Sequence, residues 1–151
     1  MTEMSTMFLQ SLLVLLVAIH VTLACKCKPL TLLEAMCGDT TVVLARVTGG
    51  QPLQIDNIAY RRYMLGVSTV FRSEKQKMSD NDGKGSLLFP EAVSDCGGIL
   101  TDDLDYVIAG TVNSEGALVS SCCHHYVPYE YLVGNAHSMS ILLGQEDCAN
   151  A

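Results

Sequence analysis

The sequence predicts a small, mainly β domain: a barrel or sandwich with short helices on its outside, tied by disulfides. Three observations carry this. About five β-branched or alternating segments follow one another with turn residues at short spacing. All seven cysteines fall after an apolar leader at the N-terminus. Of 151 residues 49% are hydrophobic and only 17% charged, which supports one packed core and argues against disorder.

The leader comes first in the chain. Residues 7–24 read MFLQSLLVLLVAIHVTLA, close to the minimum length for a membrane span. Thr22 and Ala24 stand at the −3 and −1 positions before Cys25, the pattern of signal-peptidase cleavage. We read residues 1–24 as a signal peptide and residues 25–151 as the mature domain, with an uncleaved signal anchor as the alternative. No other apolar stretch is long enough to span a bilayer, so no membrane span is expected after processing. A formal charge of −7 leaves no basic footprint for nucleic acid.

The mature part divides as follows. Thr31-Leu32-Leu33-Glu34 has the form of a capping box, with Pro29 upstream, and predicts a short helix over about 32–37 that Gly38 stops. Residues 41–47 are a β-branched run bounded by Gly49-Gly50, hence a strand. Residues 58–72 form a longer strand, bulged at Gly66. The polar stretch 73–86 with Asp82-Gly83 reads as an exposed hairpin loop. Strands follow at 86–89, 106–111 and 117–121, the last two joined by a tight turn over 113–116. The tail 129–143 reads as one helix, weakened by Gly134.

Export makes disulfides the default state of Cys25, Cys27, Cys37, Cys96, Cys122, Cys123 and Cys148. The odd count leaves one thiol over, and the adjacent Cys122-Cys123 is the natural place for it. His124-His125 and His137 lie near that pair. Adjacent ligands seldom share a tetrahedral site and no C-x-x-C is present, so we expect neither a metal centre nor a cofactor of the chain's own. Asp102-Asp103-Leu104-Asp105 reads as a solvated turn before a strand, because no spaced Ca²⁺ ligands follow. No Ser/His/Asp motif, phosphate loop or HExxH helix is visible, and an enzyme is not expected.

Several segments, in order, point to one family. The mature start is Cys25-Lys26-Cys27-Lys28-Pro29, a third cysteine follows ten residues later at Cys37, and then comes Val42-Val43-Leu44-Ala45-Arg46. Pro90 leads to Ser94-Asp95-Cys96-Gly97; Tyr106-Val107-Ile108-Ala109-Gly110 follows; Cys122-Cys123 precede Pro128-Tyr129; Cys148 closes the run. This arrangement resembles the inhibitory domain of the tissue inhibitors of metalloproteinases, with Tyr129 where the family has Trp. The resemblance implies a netrin-like module, an OB-type five-stranded barrel with flanking helices, without the family's smaller C-terminal domain. It also implies the pairs Cys25–Cys96, Cys37–Cys148, and Cys27 with Cys123 or Cys122. The family spacing to Pro128 favours Cys123, while the strand spacing from Leu118 favours Cys122.

The resemblance further implies a secreted, extracellular inhibitor of secreted zinc metalloproteinases. In that reading the amine and carbonyl of Cys25 chelate the protease zinc, and Lys26, Cys27, Lys28, Ser94, Asp95 and Cys96 make the contact. It places the Lys26 side chain in the S1′ pocket, where the family usually carries Thr or Ser, and puts Asp95 where an apolar residue is common. The alternative is a non-inhibitory netrin-like module that binds matrix components or cell-surface proteins.

Overall fold

Local capping chemistry sets the first element. In the structure, a computed structural model describing residues 27–73, 78 and 84–150, helix α1 spans Leu32–Cys37. Thr31 Oγ1 accepts from the Glu34 N–H at 3.2 Å, and Glu34 Oε2 accepts from the Thr31 N–H at 2.7 Å. Such a cap is worth about 1 kcal/mol, which matters for a helix of six residues. The Thr31 bonds, helped by Lys28, hold the Glu34 carboxyl below its ordinary range. At the other end Gly38 donates to the Glu34 carbonyl, and Arg72 Nη1 donates to the Met36 carbonyl at 2.8 Å. A cation there complements the helix dipole.

Two long strands follow, β1 (Thr41–Ile55) and β2 (Ile58–Arg72). The expected end of β1 at Gly49-Gly50 is not an end. These two glycines stand opposite Tyr63 alone, in a bulge where Gly49 has φ +63°. A Cβ on Gly50 would lie 2.6 Å from the Tyr63 ring. The glycines therefore let the strand pass a buried tyrosine and continue to a two-residue turn, where Asp56 and Asn57 both have positive φ. The bulge expected at Gly66 lies elsewhere. Gly66 pairs regularly with Arg46, and the register slips instead at Ser68 and Phe71. These slips place Arg72 opposite Val42, on the face that carries α1.

Strands β3 (Lys84–Pro90), β4 (Leu104–Val112) and β5 (Leu118–Val119) close the ring in the order β1-β2-β3-β5-β4 and back to β1. Among the described residues only β3 and β5 pair in parallel. β3 starts two residues before the expected strand, β5 is shorter than expected, and the Asp82-Gly83 turn lies outside the described residues. The turn between β4 and β5 is built by Asn113, whose Oδ1 accepts from the N–H groups of Glu115 and Ala117. A short β6 (Tyr126–Pro128), absent from the sequence reading, adds to β4.

Alternation divides the apolar residues between two cores. Val43, Ala45, Val47, Tyr63, Leu65, Phe89, Tyr106 and Ile108 fill the barrel. Val42, Val107 and Ala109 face outward, beneath Leu32 and Ala35 of α1 and the C-terminal helices. Burying each large side chain gives roughly 1.5–3 kcal/mol, and the start of β1 and most of β4 are buried on both faces. The tail is two helices, α2 (Glu130–Val133) and α3 (Ala136–Leu142), rather than one. Asn135 separates them, its Oδ1 accepting from the N–H groups of His137 and Ser138. A residue that caps a new helix is extended and cannot continue the old one. Asp105 belongs to β4 and binds Arg46 through two bonds of 2.9 Å, which holds its carboxyl below the usual range. Asp102 and Asp103 are solvent-exposed. Among the described residues no helix is long and apolar enough to cross a membrane.

Candidate functional site

Three stretches distant in sequence meet at one end of the barrel: residues 27–30, the loop after β3, and the turn after β5. Cys27 is joined to Cys123, with Cα atoms 5.4 Å apart. Of the two candidates for Cys27, Cys123 is thus the partner. The same stretch is held twice more. The Leu30 N–H donates to the Cys123 carbonyl at 3.3 Å, and His125 Nδ1 donates to the Leu30 carbonyl at 3.2 Å. A carbonyl only accepts, so this contact puts the imidazole proton on Nδ1. Lys28 points to solvent, its Nζ 3.6 Å from Glu34.

The loop after β3 is fixed by backbone bonds. Gly97 donates to the Ala92 carbonyl, Gly98 to the Pro90 carbonyl, and Cys96 to the Val93 carbonyl. Cys96 is left-handed, with φ 61°. A Cβ on Gly97 would overlap the Pro90 carbonyl, so only glycine lets the chain double back so tightly. Behind the loop, Arg61 pairs with the Glu91 carboxylate at 2.7 Å, and the Glu91 backbone N–H donates to the Ala59 carbonyl. Ser94 and Asp95 belong to a short 3-10 turn, Val93–Asp95, with Asp95 exposed. Val93 and Ile99, which the sequence reading did not single out, are each 75% exposed on the same loop. Their exposure depends on tertiary placement, and no sequence pattern marked it.

The two regions touch through the cysteines. Cys27 Sγ lies 3.9 Å from Cys96 Sγ, and the Cys122 N–H donates to the Cys96 carbonyl at 2.6 Å. Cys96 is disulfide-bonded. The partner expected for it, Cys25, lies outside the described residues, as does Lys26. Cys122 is in neither described disulfide and retains its thiol. Cys37 is joined to Cys148, tying the end of α1 to the C-terminal turn. His124 and His137 serve local contacts, to Ser121 and Glu146 respectively. A cleft of about 410 Å³ opens over Pro128, Tyr129 and Val133 beside the Arg46–Asp105 pair. It includes none of the residues expected to make the inhibitory contact.

The histidines give this end of the molecule an acid sensitivity. Burial lowers the pKa of both His124 and His125, with the Leu30 carbonyl opposing it at His125. His125 Nε2 is buried without a hydrogen-bond partner among the described residues, so a second proton there is poorly solvated. Below about pH 6.5 the unfolded chain takes up protons that the folded chain refuses. Stability is therefore full above that pH, and falls as the pH drops from it toward the lowered folded values. The urea midpoint should decline between pH 7.5 and pH 5, and a His124→Gln/His125→Gln variant should flatten the decline. A wild-type midpoint that stays level over this range contradicts the assignment.

Compared with known proteins, the chain is similar to one family: the profile described as tissue inhibitor of metalloproteinase matches residues 23–146. Among curated proteins, none gives a significant match.

Proposed function

The chain belongs to the tissue inhibitors of metalloproteinases, which are inhibitors and not enzymes, and on that premise we propose that its mature N-terminus acts as a zinc-directed wedge. Signal cleavage after Ala24 frees the amine of Cys25 in a secreted protein. That amine and the Cys25 carbonyl replace the water on the catalytic zinc of a secreted metalloproteinase, the position through which such enzymes activate their nucleophile. The amine must be neutral to bind, and an ordinary α-amino pKa of roughly 8 makes deprotonation cheap. The inhibitor brings no cofactor of its own. Lys26 enters S1′, while Cys27, Lys28, Ser94, Asp95 and Cys96 flank the zinc.

One observation carries this reading: the chain just after Cys25 is anchored by a disulfide at Cys27 and two hydrogen bonds at Leu30, with Cys27 touching Cys96 of the loop that bears Ser94 and Asp95. Anchoring in advance removes ordering entropy that a loose peptide end would lose on binding. A Cys25–Cys96 bond would extend the clamp to the first residue. Its support is that Cys96 is disulfide-bonded while Cys27, Cys37, Cys123 and Cys148 are joined to one another.

The test is titration of correctly processed protein against a panel of zinc metalloproteinases, together with Lys26→Thr. An ammonium pressed into an apolar S1′ pocket loses hydration. Lys26→Thr should therefore tighten binding to enzymes with apolar pockets by about 1–3 kcal/mol, and weaken it where the pocket presents a carboxylate. Absence of inhibition across the panel, by either form, leaves the non-inhibitory binding module as the function.

A further inference from the structure

The sulfurs of Cys27, Cys96, Cys122 and Cys123 lie within 4.8 Å of one another. Consecutive side chains on a strand point to opposite faces, so adjacent cysteines do not normally approach the same target. Here they do, because they occupy a turn. The His124 N–H donates to the Ser121 carbonyl at 3.0 Å, with Cys122 and Cys123 between them. Ser121 Oγ accepts from the Cys123 N–H, and the Cys122 N–H is held on the Cys96 carbonyl. The turn thus presents one disulfide sulfur and one thiol to Cys27 together.

We propose that Cys122 is an exchange thiol, and that Cys27 passes between Cys123 and Cys122. The Cys122 thiolate attacks Cys27 Sγ. The Cys27–Cys122 bond forms as Cys27–Cys123 breaks, and Cys123 leaves as a thiolate that takes up a proton equivalent to the one Cys122 lost. One disulfide and one thiol exist before and after, so no oxidant or reductant is consumed. The exchange speeds up as pH rises, because the thiolate is the nucleophile.

The consequence is a choice of register. Successive Cα atoms are about 3.8 Å apart, so re-pairing shifts the anchor of Cys27 by up to that distance. It also strains the bond from the Leu30 N–H to the Cys123 carbonyl. A binding constellation tolerates displacements of only about 0.5 Å. One register therefore presents the N-terminus for binding and the other withdraws it. This consequence rests on the zinc-directed reading of Cys25; the exchange itself does not.

The experiment uses the mature oxidised chain, held for hours at pH 8 without added thiol or oxidant. It is then acid-quenched, labelled with a maleimide, and mapped by fragmentation that separates Cys122 from Cys123. The expected result is label on both residues, with Cys27–Cys123 and Cys27–Cys122 as the complementary disulfides. Cys122→Ser should show Cys27–Cys123 alone, and Cys123→Ser should show Cys27–Cys122. Label confined to Cys122 in the wild type overturns the exchange, whether or not Cys123→Ser folds. The two variants should also differ in inhibition constant by on the order of tenfold or more. Exchange with equal inhibition by both variants overturns the register consequence. Exchange with no inhibition by any form upholds the exchange and overturns the zinc-directed reading instead.

Discussion

Adding a single alanine ahead of Cys25 is expected to abolish inhibition, and acetylating the Cys25 amine should do the same. Either change turns the amine proposed to bind zinc into an amide nitrogen, whose lone pair is delocalised into the carbonyl and is not available to a metal. Four-ligand structural zinc sites are worth roughly 10–16 kcal/mol, so one donor corresponds to about 3 kcal/mol, or more than 100-fold in affinity. The added group also occupies space beside the metal, which makes this a lower bound. Stability should not move, because neither change breaks a disulfide or the bonds that hold the segment to Cys123 and His125. Inhibition constants measured beside urea midpoints separate the two effects. Unchanged inhibition by both modified forms means that Cys25 serves only as a staple, and the binding-module reading takes its place.

What the sequence made legible was chemistry that is local. The capping box at Thr31 and Glu34 needs four residues and fixes α1 by itself. β2 was readable over its whole length, Ile58 to Arg72, because it is a run rich in β-branched and aromatic residues, bounded by a polar stretch on either side. β1 was cut short because a Gly-Gly pair normally punctuates a strand. Here the pair makes room for the ring of Tyr63, a partner only the folded pairing reveals. The Cys122 or Cys123 question shows the same boundary. Counting strand positions from Leu118 favoured Cys122, but β5 ends at Val119 and a turn intervenes, so the strand alternation does not reach the cysteines. Family spacing to Pro128 pointed to Cys123, which is the residue joined to Cys27. The bulges at Ser68 and Phe71 were hidden for a further reason: their effect is to aim Arg72 at the end of α1, a contact across 36 residues.

Replacing Cys37 and Cys148 together by serine should cost about 4 kcal/mol of stability while leaving inhibition nearly intact. The two residues are 111 apart in sequence, and an isolated loop of that size would be worth nearly 5 kcal/mol in unfolded-chain entropy. Cys27–Cys123 already shortens the path, however. Through that bond the loop closed by Cys37–Cys148 is only about 35 residues, which lowers the expected gain to about 4 kcal/mol. For a chain of this size the melting temperature should fall by roughly 10–15 °C. The loss should also be local at first. The bond ties α1 to the C-terminal turn across the outer cluster of Leu32, Ala35, Leu132 and Ile141, whereas Phe89 and Ile108 belong to the barrel core. Hydrogen exchange should therefore quicken in α1 and α3 before it does in β1 and β4. The end proposed to meet the zinc keeps its own anchors at Cys27, Leu30 and His125, so the inhibition constant should change little at temperatures where the barrel stays folded. A stability loss below about 1 kcal/mol means the helical layer holds without its staple. Loss of inhibition by the folded variant means the two ends of the molecule are coupled through α1, which directly follows the anchored segment.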